Sequence, residues 1–356
     1  MIGERLRLAR EAAGLSLRAL EDAIRGLVSA QAIGKYENNL MMPGSSVLLA
    51  LAGALRVSPE YLLSTRQISL SGVDFRKEPS AGVKAEKAVA ALVIDQLERY
   101  LMIESLLPHA RRDWIAADHG DFPVNGFDDA EKAAEQLREL WRLGIDPIAS
   151  MVDLLEEKGI KVIALDLPQD VSGSKAFART DLSGDVAVIV VNKNHNGERQ
   201  RFTLAHELAH LVLRPSEALT NDDTLLEKVS DRFAGAFLIP AVSLYERLGQ
   251  ARTSISLGEI YEQKSFYGVS CSSVVVRCKQ LGILGQTASG KLWGVLKKHG
   301  LVGKDAKEPR PLAPEVPKRM ERLCLHAISE GAASVSKAAE ILGVSVRKLD
   351  DLLMPE

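Results

Sequence analysis

Apolar residues along the first third of the chain recur at helical spacing in short runs, each opened by a small polar residue or closed by glycine. "ERLRLAREAAG" spaces Leu6, Leu8, Ala9, Ala12 and Ala13 for one helix face and stops at Gly14. "SLRALEDAIRG" opens on Ser16 as an N-cap and ends at Gly26, and "SAQAIGKYE" opens on Ser29. "GSSVLLALAGALRV" follows Pro43-Gly44, and "SPEYLL" places a cap before a proline at the first helical position. These runs predict a compact all-α domain over residues 1–66. From Ser64 to about Lys87 the chain turns polar and mixed, as a linker would. Residues 88–106 regain a helical period, and "PHARRDWIAADHGDFPVNGFDD" reads as a loop, so 67–124 is expected to be linker and connecting helices.

The pattern then changes. Residues 129–158 carry two amphipathic helices broken at Gly144 and Pro147. "IKVIAL" and "DVAVIVVN" are β-runs, an apolar helix surrounds residues 201–213, and Leu225 to Leu238 is a further helix stopped by Pro240. Residues 125–250 are therefore expected to be α+β, a small sheet with packed helices. Residues 251–356 are mainly helical and are split by the basic, proline-rich joint "KDAKEPRPLAPEVPK". The fold class read from the chain is multidomain: all-α, then α+β, then a mainly helical C-terminal region.

The apolar helix carries unexpected chemistry. In "RFTLAHELAHLVL", His206 and His210 lie four residues apart and face the same way, so both imidazoles can address one point. Glu207 points roughly 100° away, within reach of a water at that point but not of a ligand position. The donors suit Zn²⁺, which favours imidazole and carboxylate in four-coordinate sites. A catalytic zinc needs a third protein ligand and an open position. "LEKVSDRFAGAFLIP" supplies Glu227 as that ligand, with Asp231 one turn on to accept the free N–H of a ligand histidine and fix its tautomer. Glu207 is then the general base. "VAVIVVN" is expected to be an edge strand able to pair with an extended peptide, and His195 is a candidate second electrophile. His109, His119, His299 and His326 fall in scattered contexts and read as surface or loop residues.

"GLSLRALEDAIRGLVSAQAIGKYENN" has the cadence of a helix-turn-helix. Leu15, Leu20, Ile24, Ile33 and Tyr36 form its core, and Ser29, Ala30, Gln31, Gly34 and Lys35 are on the helix that would meet double-stranded DNA. Gln31 can pair bidentately with adenine, and Lys35 suits a phosphate. Two operator half-sites would suit a homodimer. The same five helices also suit a protein-pairing module. "SVSKAAEILGVSVRKLDDLL" repeats the cadence, as a helical cap on the α+β domain or a second DNA-binding unit.

The net charge of -2 hides a division. Residues 1–66 hold 8 Lys+Arg against 6 Asp+Glu, 67–249 hold 21 against 30, and 250–356 hold 16 against 11, so mildly basic ends flank an acidic middle. The longest apolar run, "VLLALAGAL", is far shorter than the roughly 18 residues of a membrane span. The first ten residues have no signal-peptide apolar core, and Cys271, Cys278 and Cys324 match no zinc or redox spacing. A cytoplasmic protein with reduced thiols and no membrane contact is expected.

"ERQRFTLAHELAHLVL" followed by "EKVSDRFAGAFLIP", with "LLEEKGIKVIALDL" before them, resembles the ImmA/IrrE family of metallopeptidases over about residues 125–245. The resemblance implies a gluzincin-like zinc endopeptidase with His206, His210 and Glu227 as ligands and Glu207 as base. It also implies a protein substrate such as a helix-turn-helix repressor or an antitoxin, or the chain itself. Val229-Ser230-Asp231 stands where the family has Glu-Ala-Asn. Residues 1–66 resemble the XRE, phage-repressor-like, family, with Leu17 in place of its usual glutamine, which implies binding to operator DNA. The expected whole is a DNA-binding regulator carrying a zinc endopeptidase. The alternative is a non-catalytic regulator whose metal domain senses a ligand or partner.

Overall fold

A computed structural model of the chain describes residues 2–55, 57–63, 68–71, 83–168, 171–180, 184–303 and 306–353. In chain order the first elements are α1 (Ile2–Ala12), α2 (Leu17–Ala23), α3 (Ala30–Glu37), α4 (Ser45–Leu55), α5 (Pro59–Leu63), β1 (Ile68–Ser71) and α6 (Val83–Leu106). Next come β2 (Phe122–Val124), α7 (Phe127–Leu140), α8 (Met151–Glu157), β3 (Lys161–Leu165), β4 (Gly173–Thr180), β5 (Gly184–Asn192), α9 (Gly197–Val212), β6 (Leu213–Pro215), α10 (Glu217–Thr220) and α11 (Asp223–Leu238). The chain continues through α12 (Ala241–Leu248), α13 (Leu257–Tyr267), α14 (Cys271–Gln280), α15 (Gln286–Lys298), α16 (Arg319–Ser329), α17 (Val335–Leu342) and α18 (Val346–Leu353).

Contacts divide the chain into two units that are not contiguous in sequence. One comprises Met1–Asp113, Ala176–Val188 and Lys318–Glu356; the other comprises Trp114–Lys175 and Ile189–Pro317. The four successive segments expected from the sequence are thus regrouped. The boundary expected at 250 lies inside the second unit, and the C-terminal region divides at 318. The reason is that apolar faces, not chain order, choose partners. "SVSKAAEILGVSVRKLDDLL" forms α17 and α18, whose Ala338, Ile341 and Leu349 join Tyr100, Ile103 and Leu107 of α6 and Leu323 and Cys324 of α16 in one core. It belongs to the first unit.

In the first unit, α1 to α5 close over Leu6, Leu20, Ile33, Leu51 and Leu62, all fully buried. Ser16 and Ser29 cap α2 and α3 as expected, accepting from Ala19 N–H at 3.1 Å and Ala32 N–H at 3.3 Å. Gly3 allows α1 to meet the end of α3: a Cβ there would lie 2.4 Å from the Glu37 carbonyl oxygen. The buried Glu37 carboxylate then receives Arg10 at 2.6 and 2.9 Å. Helix α6, with 24 residues about 36 Å long, serves two cores. Ile94 packs on the α1–α5 core, and Arg5 of α1 pairs with Glu98 in a buried bridge, while Tyr100 onward serves the C-terminal core. Part of the expected linker lies outside the described residues; within it, β1 is a strand and α6 begins at Val83.

One four-stranded sheet precedes the α9 helix; β1, residues 176–180 of β4 and residues 184–188 of β5 fall in the first unit, and β3 with the rest of β4 and β5 in the second. Strand order is β1-β4-β5-β3, with β1 antiparallel to the far end of β4 through Ile68↔Thr180 to Ser71↔Phe177. β5 is therefore interior, not the edge strand expected from "VAVIVVN". Val186 to Val191 are 0–4% exposed, and an unbroken apolar run marks a strand covered on both faces, with ladder partners on both sides. The stretch expected to be a loop contains two 3-10 turns, β2 and the start of α7; β2 pairs in parallel with β6 from Phe122↔Leu213 to Val124↔Pro215. β4 was not anticipated either, since "GSKAFART" lacks an apolar run.

The proline-rich joint is not a free connector. Its residues 308–315 are laid on the first turn of α9 and neighbouring elements. Gly197 N–H donates to Leu312 C=O at 2.9 Å, Leu312 N–H to Glu198 at 2.8 Å, and Glu315 N–H to Gln200 at 2.9 Å. Glu315 takes Arg201 on one oxygen at 2.6 Å and the Val152 N–H on the other at 2.8 Å. Lys264 reaches the same Glu198 oxygen at 2.5 Å, with side-chain exposures of 3% and 1%. Such charges are stable when buried only because each is paired and hydrogen-bonded.

Candidate functional site

Helix α9 is buried nearly all round. Leu204, Ala205, Leu208 and Ala209 are fully buried, and α11, which packs against it, also packs against α7. Asn196 caps α9 by accepting from Arg199 N–H at 3.0 Å. Asp222 caps α11 by accepting from Leu225 N–H at 2.9 Å. Both helices are thereby started in a register that turns His206 and His210 toward Glu227.

The three side chains converge. His206 Nε2 and His210 Nε2 are 3.1 Å apart; His206 Nε2 is 3.3 Å from one Glu227 oxygen, and His210 Nε2 is 3.4 Å from the other. A tetrahedron of ligands about 2.0–2.1 Å from a small divalent cation has edges of about 3.3–3.4 Å, so the spacing fits. The rings lie 4.9 Å apart at 72°. Side-chain exposure is 12% at His206, 4% at His210 and 31% at Glu227, so solvent reaches the donors from the Glu227 side.

The second nitrogens are held from α11. His206 Nδ1 is 2.8 Å from Asp231 Oδ1, which makes Nδ1 the protonated nitrogen and leaves the Nε2 lone pair facing the centre. Ser230 donates its hydroxyl to Leu226 C=O at 3.0 Å, and its oxygen lies 3.5 Å from His210 Nδ1, placed to accept from it. Ser230 was not singled out from the sequence. The signal was its place three residues after Glu227, on the same helix face as Glu227 and Asp231. Lys175 of β4 donates to the His210 carbonyl at 3.3 Å and ties the sheet to the helix; nothing in its sequence context marks it. With both imidazoles turned this way, two nitrogen lone pairs and a carboxylate face one small space. That arrangement is repulsive without a cation and stable with one.

Among the described residues the donor cluster comprises His206, His210 and Glu227, with no fourth histidine, cysteine or acidic side chain. Asp231 orients and does not join it. Glu207 is buried at 6% exposure on the next α9 position. His195, expected as a second electrophile, lies just before the N-cap of α9. Helical rise puts His206 about 15 Å further along the axis, so His195 is at the wrong end of the helix to act there.

In the helix-turn-helix, Gln31 and Lys35 are exposed on α3, whereas Ala30 and Gly34 are half-buried. The Ser29 hydroxyl is occupied as the cap, and Ala30 N–H donates to Glu21 at 3.0 Å. Gly34 faces α2: a Cβ there would meet Leu17 Cδ1 at 3.6 Å. Leu17 thus fills the space beside α3, and the outward surface of α3 narrows to Gln31 and Lys35 with the exposed Ser29. After α3, Leu40, Met41 and Met42 are exposed at 75%, 42% and 63%. Among the described residues no helix is long and apolar enough to cross a membrane.

The geometry agrees with comparison to known families. Residues 155–279 match the model of a peptidase family described as the IrrE N-terminal-like domain, and residues 6–62 match the helix-turn-helix family. No curated protein matches the chain. The chain therefore joins a helix-turn-helix segment at its N-terminal end to an IrrE N-terminal-like domain that contains the His206, His210 and Glu227 cluster.

Proposed function

We propose that the chain is a DNA-binding transcriptional regulator carrying a zinc-dependent endopeptidase, which cleaves a helix-turn-helix repressor, an antitoxin or the chain itself. The observation that carries the peptidase half is the convergence of two imidazole nitrogens and a carboxylate at tetrahedral spacing. His206, His210 and Glu227 hold Zn²⁺. The cation supplies Lewis acidity, polarising a scissile carbonyl and acidifying water. Glu207 accepts the proton from the attacking water and returns it to the leaving amine. Asp231 and Ser230 keep both imidazoles in the ligating tautomer. The absence of a fourth such donor among the described residues favours this reading over a closed structural or sensing site.

The DNA half rests on α2 and α3. Gln31 reads a base edge and Lys35 neutralises a phosphate, and the mildly basic first segment agrees in sign. Paired half-sites would be met by a homodimer.

The test is incubation of the purified chain, with and without a chelator, with helix-turn-helix repressors encoded beside its gene. Cleavage is expected with metal only. Glu207→Gln is expected to abolish it while metal content stays unchanged. Cleavage that survives in Glu207→Gln refutes the assignment of the base. Gene control that survives in Glu207→Gln identifies the non-catalytic, sensing regulator instead.

A further inference from the structure

Helix α16 carries His326 and Glu330 four residues apart in its last turn and at its C-cap. His326 Nε2 lies 2.8 Å from Glu330 Oε1, an ordinary helical pair by itself. A third group comes from outside the helix. His109, in the 3-10 turn Pro108–Ala110 that follows α6, places its Nε2 3.7 Å from the same Glu330 oxygen. The two rings stand 5.5 Å apart at 79°. The corresponding figures in the IrrE-like domain are 4.9 Å and 72° for His206 and His210. Two imidazoles bound through Nε2 at about 2.0 Å to one tetrahedral ion place their ring centres about 5 Å apart.

We propose that His109, His326 and Glu330 form a second divalent-metal site, selective for imidazole-seeking transition cations such as Zn²⁺. All three belong to the first unit, so the proposal does not depend on the peptidase reading.

The site is built from fixed parts. The turn bearing His109 is flanked by Leu107 and Ala110, which pack into the C-terminal core. Arg319, at the start of α16, donates to the Ala110 carbonyl, to Tyr100 Oη at 3.1 Å and to Glu104 at 2.6 Å. The ligands therefore sit on elements whose separation is set before any ion arrives, which lowers the entropic cost of binding. The negative end of the α16 dipole adds to the Glu330 charge and favours a cation there, against Arg322 one turn earlier. Side-chain exposures of 57% at His109 and 44% at His326 and Glu330 leave the remaining positions to water, so the site exchanges its ion readily. An occupied site ties α16 to the end of α6, whose earlier half packs on the helix-turn-helix core. Metal availability would thus be read as stability of the DNA-binding unit.

The full chain, stripped with a chelator, is titrated calorimetrically with Zn²⁺ alone. A tight event and a separate weaker event are expected. His109→Ala and His326→Ala each remove the weaker event and leave the tight one; His206→Ala removes the tight one and leaves the weaker. Because His109 and His326 are exposed, their replacement leaves the fold intact, and circular dichroism checks this. In a His206→Ala/His210→Ala background, Zn²⁺ is expected to raise the melting temperature of the first unit, and adding His326→Ala is expected to abolish that rise. A wild-type titration with no event that His109→Ala and His326→Ala remove overturns the proposal, and so does a weaker event, or a Zn²⁺-dependent rise, that persists without His109 and His326. Loss of only the event that His206→Ala removes bears on the peptidase reading alone.

Discussion

Replacing Asp231 by alanine tests whether the carboxylate behind His206 matters. The Asp231 carboxylate lies 2.8 Å from His206 Nδ1 and sets which imidazole nitrogen keeps its lone pair for the cation. Loss of such a partner lowers metal affinity by about 10–100-fold. Asp231 is 53% exposed at its side chain, so solvent screens much of its charge and the lower part of that range applies. The expected loss is about 10–30-fold, or about 1.4–2 kcal/mol. Asp231→Asn keeps an accepting oxygen at the same place and is expected to lose less than about tenfold. The assay is competition for Zn²⁺ against a chromophoric chelator at fixed pH and salt, with stoichiometry measured in parallel. A change below about twofold in Asp231→Ala removes the orienting role. A loss beyond about a thousandfold makes Asp231 a direct ligand, which the geometry does not allow.

Three further outcomes follow from particular contacts. His119 is stacked on Trp114 at 3.8 Å, and its Nδ1 accepts from Trp141 Nε1 at 3.2 Å; burial pushes its pKa down to about 4 from 6.5, with Asp118 opposing and Lys158 assisting. Between those pH values the unfolded chain binds a proton that the native chain does not, so stability falls as pH drops through this window and is level above it. The expected loss is about 3 kcal/mol, absent in His119→Gln; an equal slope in that variant in pH-dependent urea melts rules the group out. Gly197→Ala puts a Cβ 2.4 Å from the Ala313 carbonyl oxygen and is expected to cost about 1–3 kcal/mol in urea unfolding; a midpoint unchanged from wild type contradicts the docking of 308–315 on α9. Lys264→Met strands the buried Glu198 carboxylate and is expected to cost about 3–5 kcal/mol, of which the added Glu198→Gln change recovers a large part; equal melting of the single and double variants shows that the pair is not coupled.

The convergence of the donor side chains was legible because its information is local. His206 and His210 are placed by helix period alone, and Glu227 and Asp231 share one face of the next helix for the same reason. Ser230 follows the same rule but was passed over, since a serine within an apolar helix ordinarily reads as a spacer. Lys175 was not legible, because which strand crosses beside the His210 carbonyl is not written in the spacing of "GSKAFART". The helix caps at Ser16, Ser29 and Ser58 were legible too, each being a hydrogen bond closed within three residues. Gly34 was misplaced outward because its neighbour, Leu17, is set by the crossing of α2 and α3 rather than by the sequence of α3.

By itself, the amino-acid sequence determined the helices, their caps, the two central β-runs and the spacing of the imidazole and carboxylate donors, since each depends on residues within a turn or two. Only the tertiary structure decided that β5 is interior, that residues 308–315 brace α9, that 318–353 joins the first unit and that His109 meets His326. Those outcomes are long-range. They depend on which apolar faces and buried charges find partners across a hundred residues or more, and the local pattern leaves that choice open.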